Sequence, residues 1–210
     1  MAAVKKGDVV VLEYTGRLAS SGAVFDTTDE GAARLAGIYD QNAQYGPKVA
    51  VFGVRAMIPG IEGAVAAGEV GRQSTITLPP EKAFGSRENA LVRMLPEKEF
   101  ARQGIRPETG MVVTLDGVLA RVKSITSGRV VVDFNHPLAG ETVVYDVKVN
   151  EVISDGQKKV EAILSSFRLS AKVQKDGELF KITTAPGSPK AAVDAARRTI
   201  NMVLAQAEVE

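Results

Sequence analysis

The chain has no cysteine and no tryptophan, and only one histidine among its 210 residues. Disulfides, thiolate metal sites and cysteine nucleophiles are therefore excluded. The histidine, His136, directly precedes a proline and has no partners at the spacing of a metal site, so no metal and no cofactor is predicted. Neither the phosphate-binding P-loop nor the dinucleotide-binding glycine pattern occurs. A hydrolase or a nucleotide-dependent enzyme thus has little support.

The chain also has no marked excess of positive or negative charge, because its formal net charge is only +1. No global field draws the protein to nucleic acid or to a membrane surface. No apolar run approaches the ~20 residues that span a bilayer, and the first residues lack the apolar core of a signal peptide. We therefore expect a cytoplasmic protein without nucleic-acid or membrane partners. The composition, 45% apolar and 24% charged, is that of an ordinary globular chain.

The first half of the chain reads as short strands with two helices. β-branched runs and turn residues predict strands over 9–14, 23–28, 49–52 and 70–78. A helix is predicted over 29–37 with Asp29 as its N-cap, and a second helix begins at Pro59 and ends near Gly68.

The second half changes character after residue 86. Residues 91–104 are charged and favour a helix, and three strands follow over 111–115, 118–125 and 129–134. Asp116-Gly117 and Ser127-Gly128 are typical two-residue hairpin turns between these strands. Alternation over 143–149 predicts a half-buried strand, and the tail beyond residue 154 reads as helix, hairpin and helix.

Five sequence blocks occur in an order and at a spacing that resemble the FKBP family of peptidyl-prolyl cis-trans isomerases, or rotamases. They are 11–16 (VLEYTG), 22–28 (GAVFDTT), 57–64 (MIPGIEGA), 79–85 (PPEKAFG), and 135–140 (NHPLAG) leading into 144–147 (VYDV). About fifty residues stand where ordinary members have a short flap. This resembles the SlyD-type subfamily, whose insert-in-flap domain acts as a chaperone, and the tail resembles that of longer archaeal members.

The resemblance implies an α+β fold in three parts. An antiparallel FKBP sheet wrapped on a short helix is expected from 1–86 plus 133–153. A small β-rich insert-in-flap domain is expected from 87–132. A C-terminal α+β domain of helix, hairpin and helix is expected from 154–210.

The resemblance also implies a site that needs no strong acid or base. Its catalytic residues would be Tyr14, Phe25, Asp26, Ile58, Phe84 and Tyr145. Met57 and Ile61 would bind substrate, with Ile61 as the floor under the proline. In the insert, unfolded clients would contact Leu91, Met94, Leu95 and Phe100. From its chemistry alone, Asp26 could equally be a turn-capping residue, and each apolar residue could be plain core.

Two departures from the family pattern leave alternatives open. Phe84 lacks the hydroxyl that a tyrosine often supplies at the base of the flap, and Lys48 stands where many relatives have an aromatic residue. Weaker inhibition by macrolides is therefore expected. A non-catalytic holdase that keeps the fold is the alternative function. A ribosome-associated β-barrel factor is the other, and the low net charge argues against it. The expected partners are unfolded or proline-containing polypeptides, with the ribosome or other chaperones as further candidates.

Overall fold

The computed structural model describes residues 4–53, 59–176, 179–204 and 207–209. The chain divides into two compact units, one formed by 1–83 and 142–210 and the other by 84–141. Within the described residues no helix is both long and apolar enough to cross a membrane.

The first unit is built on a five-stranded antiparallel sheet. Its strands are β1 (Val9–Leu18), β2 (Val24–Thr27), β3 (Lys48–Val51), β4 (Gln73–Leu78) and β9 (Val143–Ile153). The order is β2-β1-β9-β4, and β3 also pairs with β1. Helix α2 (Pro59–Ala67) lies against β4 and β9 and buries Ile61 and Val65. Helix α1 (Glu30–Leu35) lies between β2 and β3, and the Asp29 carboxylate caps it by accepting from the Ala32 amide, as predicted.

The tail forms helices α4 (Gly156–Ser166) and α5 (Lys190–Val203) with strands β10 (Ala171–Asp176), β11 (Leu179–Thr184) and β12 (Ala207–Val209). The helix–hairpin–helix expectation omitted β12, which pairs parallel to β11. The apolar core of the tail is continuous with the main sheet, because Val9, Val51 and Ile153 share one buried cluster with Val160 and Ile200. Neighbouring residues of a strand point to opposite faces, so Val9 meets the tail while Val10 faces away from it.

The second unit is a four-stranded antiparallel sheet with one short helix. Its strands are β5 (Val92–Pro96), β6 (Val112–Leu115), β7 (Val118–Thr126) and β8 (Arg129–Asp133), in the order β5-β8-β7-β6, and its helix is α3 (Glu97–Arg102). Both hairpin turns occur where predicted, with positive φ at Asp116-Gly117 and Ser127-Gly128.

The helix expected over 91–104 is wrong in its first half. Residues 92–96 form β5 instead, because they pair antiparallel with 129–133 of β8. Tertiary pairing has overridden the local helix preference of this charged segment.

Candidate functional site

Tyr14 and Asp26 form the polar pair of the candidate site. Strands β1 and β2 pair antiparallel, with Gly16 opposite Asp26, and this register brings the two side chains together. The Tyr14 hydroxyl donates to Asp26 Oδ2 at 3.1 Å. Partial burial, followed by the nearby Asp26 carboxylate and this hydrogen bond, raises the pKa of Tyr14 above its ordinary value. The phenol therefore stays a hydrogen-bond donor at neutral pH.

The Tyr14 ring is one of three aromatic rings that meet at this site. The Tyr145 ring lies edge-on to Tyr14, with centroids 6.1 Å apart, and edge-on to Phe25, with centroids 5.7 Å apart. Edge-to-face packing at these distances is favourable because the positive edge of one ring meets the negative face of another. The rings give the cluster an apolar character around its single carboxylate.

Gly16 makes this packing possible, and the sequence analysis did not single it out. It lies opposite Tyr145 in the ladder between β1 and β9. A Cβ at this position would lie 2.6 Å from Tyr145 Cε1 and 2.8 Å from Phe25 Cζ. The Thr-Gly step in the first sequence block was the available signal, because a glycine inside a strand often marks a close approach.

The Tyr145 hydroxyl is buried without a hydrogen-bond partner in the described part of the chain. Burial raises its pKa, and the Asp26 carboxylate and Tyr14 add to the shift. Like Tyr14, it therefore remains a neutral phenol at physiological pH.

The other predicted site residues are distributed differently. Ile61 is buried on α2. Met57 and Ile58 lie outside the described residues. Phe84 belongs to the second unit, where its ring stacks on His136 with centroids 4.7 Å apart and planes 3° from parallel. The structure thus gathers Tyr14, Phe25, Asp26 and Tyr145, all drawn from sheet strands.

A cavity of about 240 Å³ opens beside Tyr14, Phe25 and Asp26. Its remaining lining comes from the last residue of β2, from the connection between β2 and β3, and from the first residue of β3. These residues are Thr27, Ala33, Ile38, Asp40, Ala43, Gln44, Tyr45 and Lys48. Lys48 is tied back, since its ammonium donates to the Gln44 carbonyl oxygen. Among these lining residues, the sequence analysis had discussed only Lys48 as part of the site.

The predicted client-binding residues of the second unit do not share one environment. Met94 is 58% exposed, whereas Phe100 is fully buried in the core formed with Val122 and Val130. Phe100 therefore packs the core in this conformation and offers no surface to a client. Leu91 and Leu95 line a cavity of about 370 Å³ with Leu115 and Phe134 among its other walls.

The hairpin of β6 and β7 exposes further apolar residues. Val112, Val118 and Leu119 are each more than half exposed, and Leu119 reaches 67%. Val112 and Leu119 alternate with buried Val113 and Ala120, so one sheet face is core and the other is open. Val118, two residues before Ala120, lies on the core face at its exposed end.

Hydrogen bonds of Asn135 link the chain segment that precedes the second unit's sheet to the segment that follows it. The Asn135 side chain accepts from the Glu88 amide at 2.8 Å and donates to the Glu88 carbonyl at 3.0 Å. Asp133, buried nearby, forms an ion pair with Arg87 and accepts from Asn135. The opposing effects of burial, which disfavours the charged form, and of the Asn135 and Arg87 contacts leave the pKa of Asp133 below its ordinary value.

The chain resembles known proteins over most of its length. Residues 93–138 match the family model described as the IF domain of FKBP26. A short-type peptidyl-prolyl cis-trans isomerase of Methanocaldococcus jannaschii is 37% identical over 149 residues, covering 71% of this chain and 94% of that relative. The FKBP-type isomerase SlyD of Helicobacter pylori is 34% identical, covering 53% of this chain and 62% of its own length.

Among solved structures, the three FKBP domains of wheat FKBP73 match with a TM-score of 0.39 and 19% identity, over 74% of this chain and 42% of that one. The identity and coverage of the Methanocaldococcus relative, with the match to the inserted domain, confirm the resemblance that the five sequence blocks indicated. The chain belongs to the FKBP-type peptidyl-prolyl cis-trans isomerase family.

Proposed function

We propose that this protein is a peptidyl-prolyl cis-trans isomerase and folding chaperone acting on X-Pro bonds of unfolded or nascent chains. The observation that carries the proposal is the cluster of Tyr14, Phe25, Asp26 and Tyr145, in a chain whose relatives are named peptidyl-prolyl cis-trans isomerases.

The cluster suits a reaction in which no proton has to leave. Amide resonance gives peptide-bond rotation a barrier of ~18–20 kcal/mol. The twisted state has less charge separation than the planar amide, so an apolar, water-poor surface favours it. Three aromatic rings supply that surface, and the Tyr14–Asp26 pair supplies its polar anchor. Ile61, buried on α2, is proposed as the floor under the proline, and substrate binding by Met57, Ile58 and Phe84 stays a prediction.

The second unit is proposed to hold unfolded clients. Met94 and the open face of the β6–β7 hairpin present apolar side chains to solvent, and a contiguous exposed apolar surface is what a holdase needs. The proposed division of labour places isomerisation in 1–86 with 133–153 and client binding in 87–132. Docking on the ribosome or other chaperones, and residence in the cytoplasm, remain predictions.

The test compares two substrates. The protein should accelerate cis-trans isomerisation of a short proline peptide, and it should accelerate proline-limited refolding of a whole protein more strongly. A chain that binds unfolded protein but leaves both rates unchanged would be a holdase, and the isomerase proposal would then be wrong. Tight nanomolar inhibition by a macrolide would contradict the weakened inhibitor response expected from Phe84 and Lys48.

A further inference from the structure

The connecting segment, residues 28–47 between β2 and β3, borders the cavity of the candidate site. Its ends meet where the Gly46 amide donates to the Thr28 carbonyl at 2.7 Å. Its residues between 33 and 45 supply much of the lining of the 240 Å³ cavity that Tyr14 and Asp26 also border. The position of this segment therefore decides the shape of the cavity.

The C-terminal tail contacts the connecting segment directly, within one compact unit. The Arg168 guanidinium, at the end of α4, donates to the Asn42 carbonyl at 3.4 Å. Gln44 lines the 240 Å³ cavity and also a second cavity of about 360 Å³, whose other walls come from residues 161–173 of the tail. Gln44, two residues after the one that Arg168 holds, thus stands between the candidate site and the tail.

The strand that follows the connecting segment is anchored in the tail as well. The Lys48 ammonium donates to the Gln44 carbonyl, so the first residue of β3 is tied to the segment. Val49 and Val51 of the same strand pack into the apolar core of the tail. The tail therefore holds the segment near its middle, through Asn42, and just beyond its end, through β3.

Arg168 has a backbone conformation that is unusual for an arginine. In the described part of the chain three residues other than glycine have positive φ; two lie in the hairpin turns of the second unit, and Arg168, with a φ of 57°, follows α4. Its amide donates to the Ser165 carbonyl at 2.9 Å, and the Leu169 amide donates to the Leu164 carbonyl at 3.0 Å. This is the Schellman arrangement, in which glycine is the usual left-handed residue.

The left-handed conformation is strained for a residue with a Cβ, whereas glycine adopts it freely. The end of α4 by itself would therefore favour glycine at position 168. What arginine adds there is a side chain that reaches Asn42. Strain kept at one position while a side chain makes a distant contact points to a role for that contact.

We propose that Arg168 is a positioning residue for the isomerase site. Its guanidinium fixes the connecting segment through Asn42, and the tail thereby keeps the cavity beside Tyr14 and Asp26 in its binding shape. The inference rests on the proposed isomerase function and deepens it, because it gives the tail a part in that function. Arg168 acts through the segment and does not touch the substrate.

The test uses Arg168→Gly, which removes the guanidinium and relieves the backbone strain together. The Ala43 and Gly46 amides, both hydrogen-bonded within the segment, should exchange with solvent roughly fivefold faster, the factor that corresponds to an ordinary hydrogen bond. KM for a short proline peptide should rise roughly twofold with kcat retained, because a site that is formed for only part of the time binds with an affinity reduced by that fraction. The midpoint of thermal unfolding should stay unchanged or rise by about 2–4 °C. A residue that served only the helix end would change the midpoint and leave exchange and KM as they are.

Lys172→Ala is the matched control, because Lys172 is another exposed basic residue of the tail and lines neither cavity. It should leave exchange and KM at the wild-type values. Arg168→Lys keeps a cationic donor and should retain slower exchange than Arg168→Gly. Unchanged exchange in Arg168→Gly, faster exchange with unchanged KM, or equal changes in Lys172→Ala would each overturn the positioning role alone. Absence of turnover in the wild-type protein would instead overturn the proposed isomerase, and this inference with it.

Discussion

Tyr14 donates its hydroxyl hydrogen to Asp26 across the first two strands, at an oxygen–oxygen distance of 3.1 Å. The contact orients the phenol and leaves the second carboxylate oxygen without a bond from Tyr14. Both side chains border the 240 Å³ cavity, so any peptide there meets a carboxylate whose position is set by a neighbouring tyrosine.

A double-mutant cycle should measure this coupling. Tyr14→Phe, Asp26→Asn and the double variant are compared by urea unfolding and by kcat/KM on a short proline peptide. We expect a coupling free energy of ~1 kcal/mol in stability, as for an ordinary side-chain hydrogen bond. We also expect a larger loss of kcat/KM for Asp26→Asn than for Tyr14→Phe. Equal activity in the wild type and in Asp26→Asn would show that Asp26 has no role in catalysis.

Gly16→Ala should disrupt the aromatic cluster. The new Cβ would approach two rings to 2.6 and 2.8 Å, so the rings must shift. Overpacking of this kind costs about 1–3 kcal/mol of unfolding free energy, and isomerase activity should fall with it. Gly63→Ala is the matched control, because a Cβ on this helical glycine meets nothing within 4 Å. It should be neutral or stabilise by up to ~1 kcal/mol. Similar losses in the two variants would contradict this account of Gly16.

The open face of the β6–β7 hairpin should decide client binding. Leu119→Lys places a charge on that face and should weaken the binding of an unfolded protein about tenfold, since covering a leucine side chain contributes ~1.5–3 kcal/mol. Activity on short peptides should be retained. Leu179→Lys is the control, an exposed leucine (44%) on a strand of the tail. Aggregation suppression and proline-limited refolding supply the measurements. If the two variants lose equal client affinity, the hairpin is not the binding surface.

Alkaline pH should destabilise the fold through Tyr14 and Tyr145. Burial and the Asp26 carboxylate raise both pKa values above the ordinary value of about 10. Above that pH the folded state therefore retains protons that the unfolded chain releases, so the unfolding free energy falls as pH rises. Below about pH 10 this contribution is fully present. Urea unfolding at about pH 9 and pH 11 measures the slope, which Tyr14→Phe and Tyr145→Phe should each reduce. Unchanged slopes would indicate that neither phenol has a raised pKa in the folded state.

The local chemistry of the sequence was enough for much of the fold. Asp29 as an N-cap, Pro59 at the start of a helix, and the hairpins at Asp116-Gly117 and Ser127-Gly128 depend on neighbours in the chain, and all occur as predicted. The family, its inserted domain and the α+β class followed from ordered blocks of residues. Strand β5 was missed because its conformation depends on pairing with β8, more than thirty residues away.

The sequence by itself excluded disulfides and thiolate metal sites, because it has no cysteine, and the resemblance carried by its five blocks predicted that Tyr14, Phe25, Asp26 and Tyr145 belong to one site. Only the tertiary structure decided that Gly16 is where the Tyr145 and Phe25 rings close over the sheet, that Phe100 is core, and that the segment before β3 forms a wall of the cavity. The physical reason is distance along the chain. Caps and turns are set by residues a few positions apart, whereas ring packing across strands and the walls of a cavity depend on register and on contacts between residues far apart in sequence.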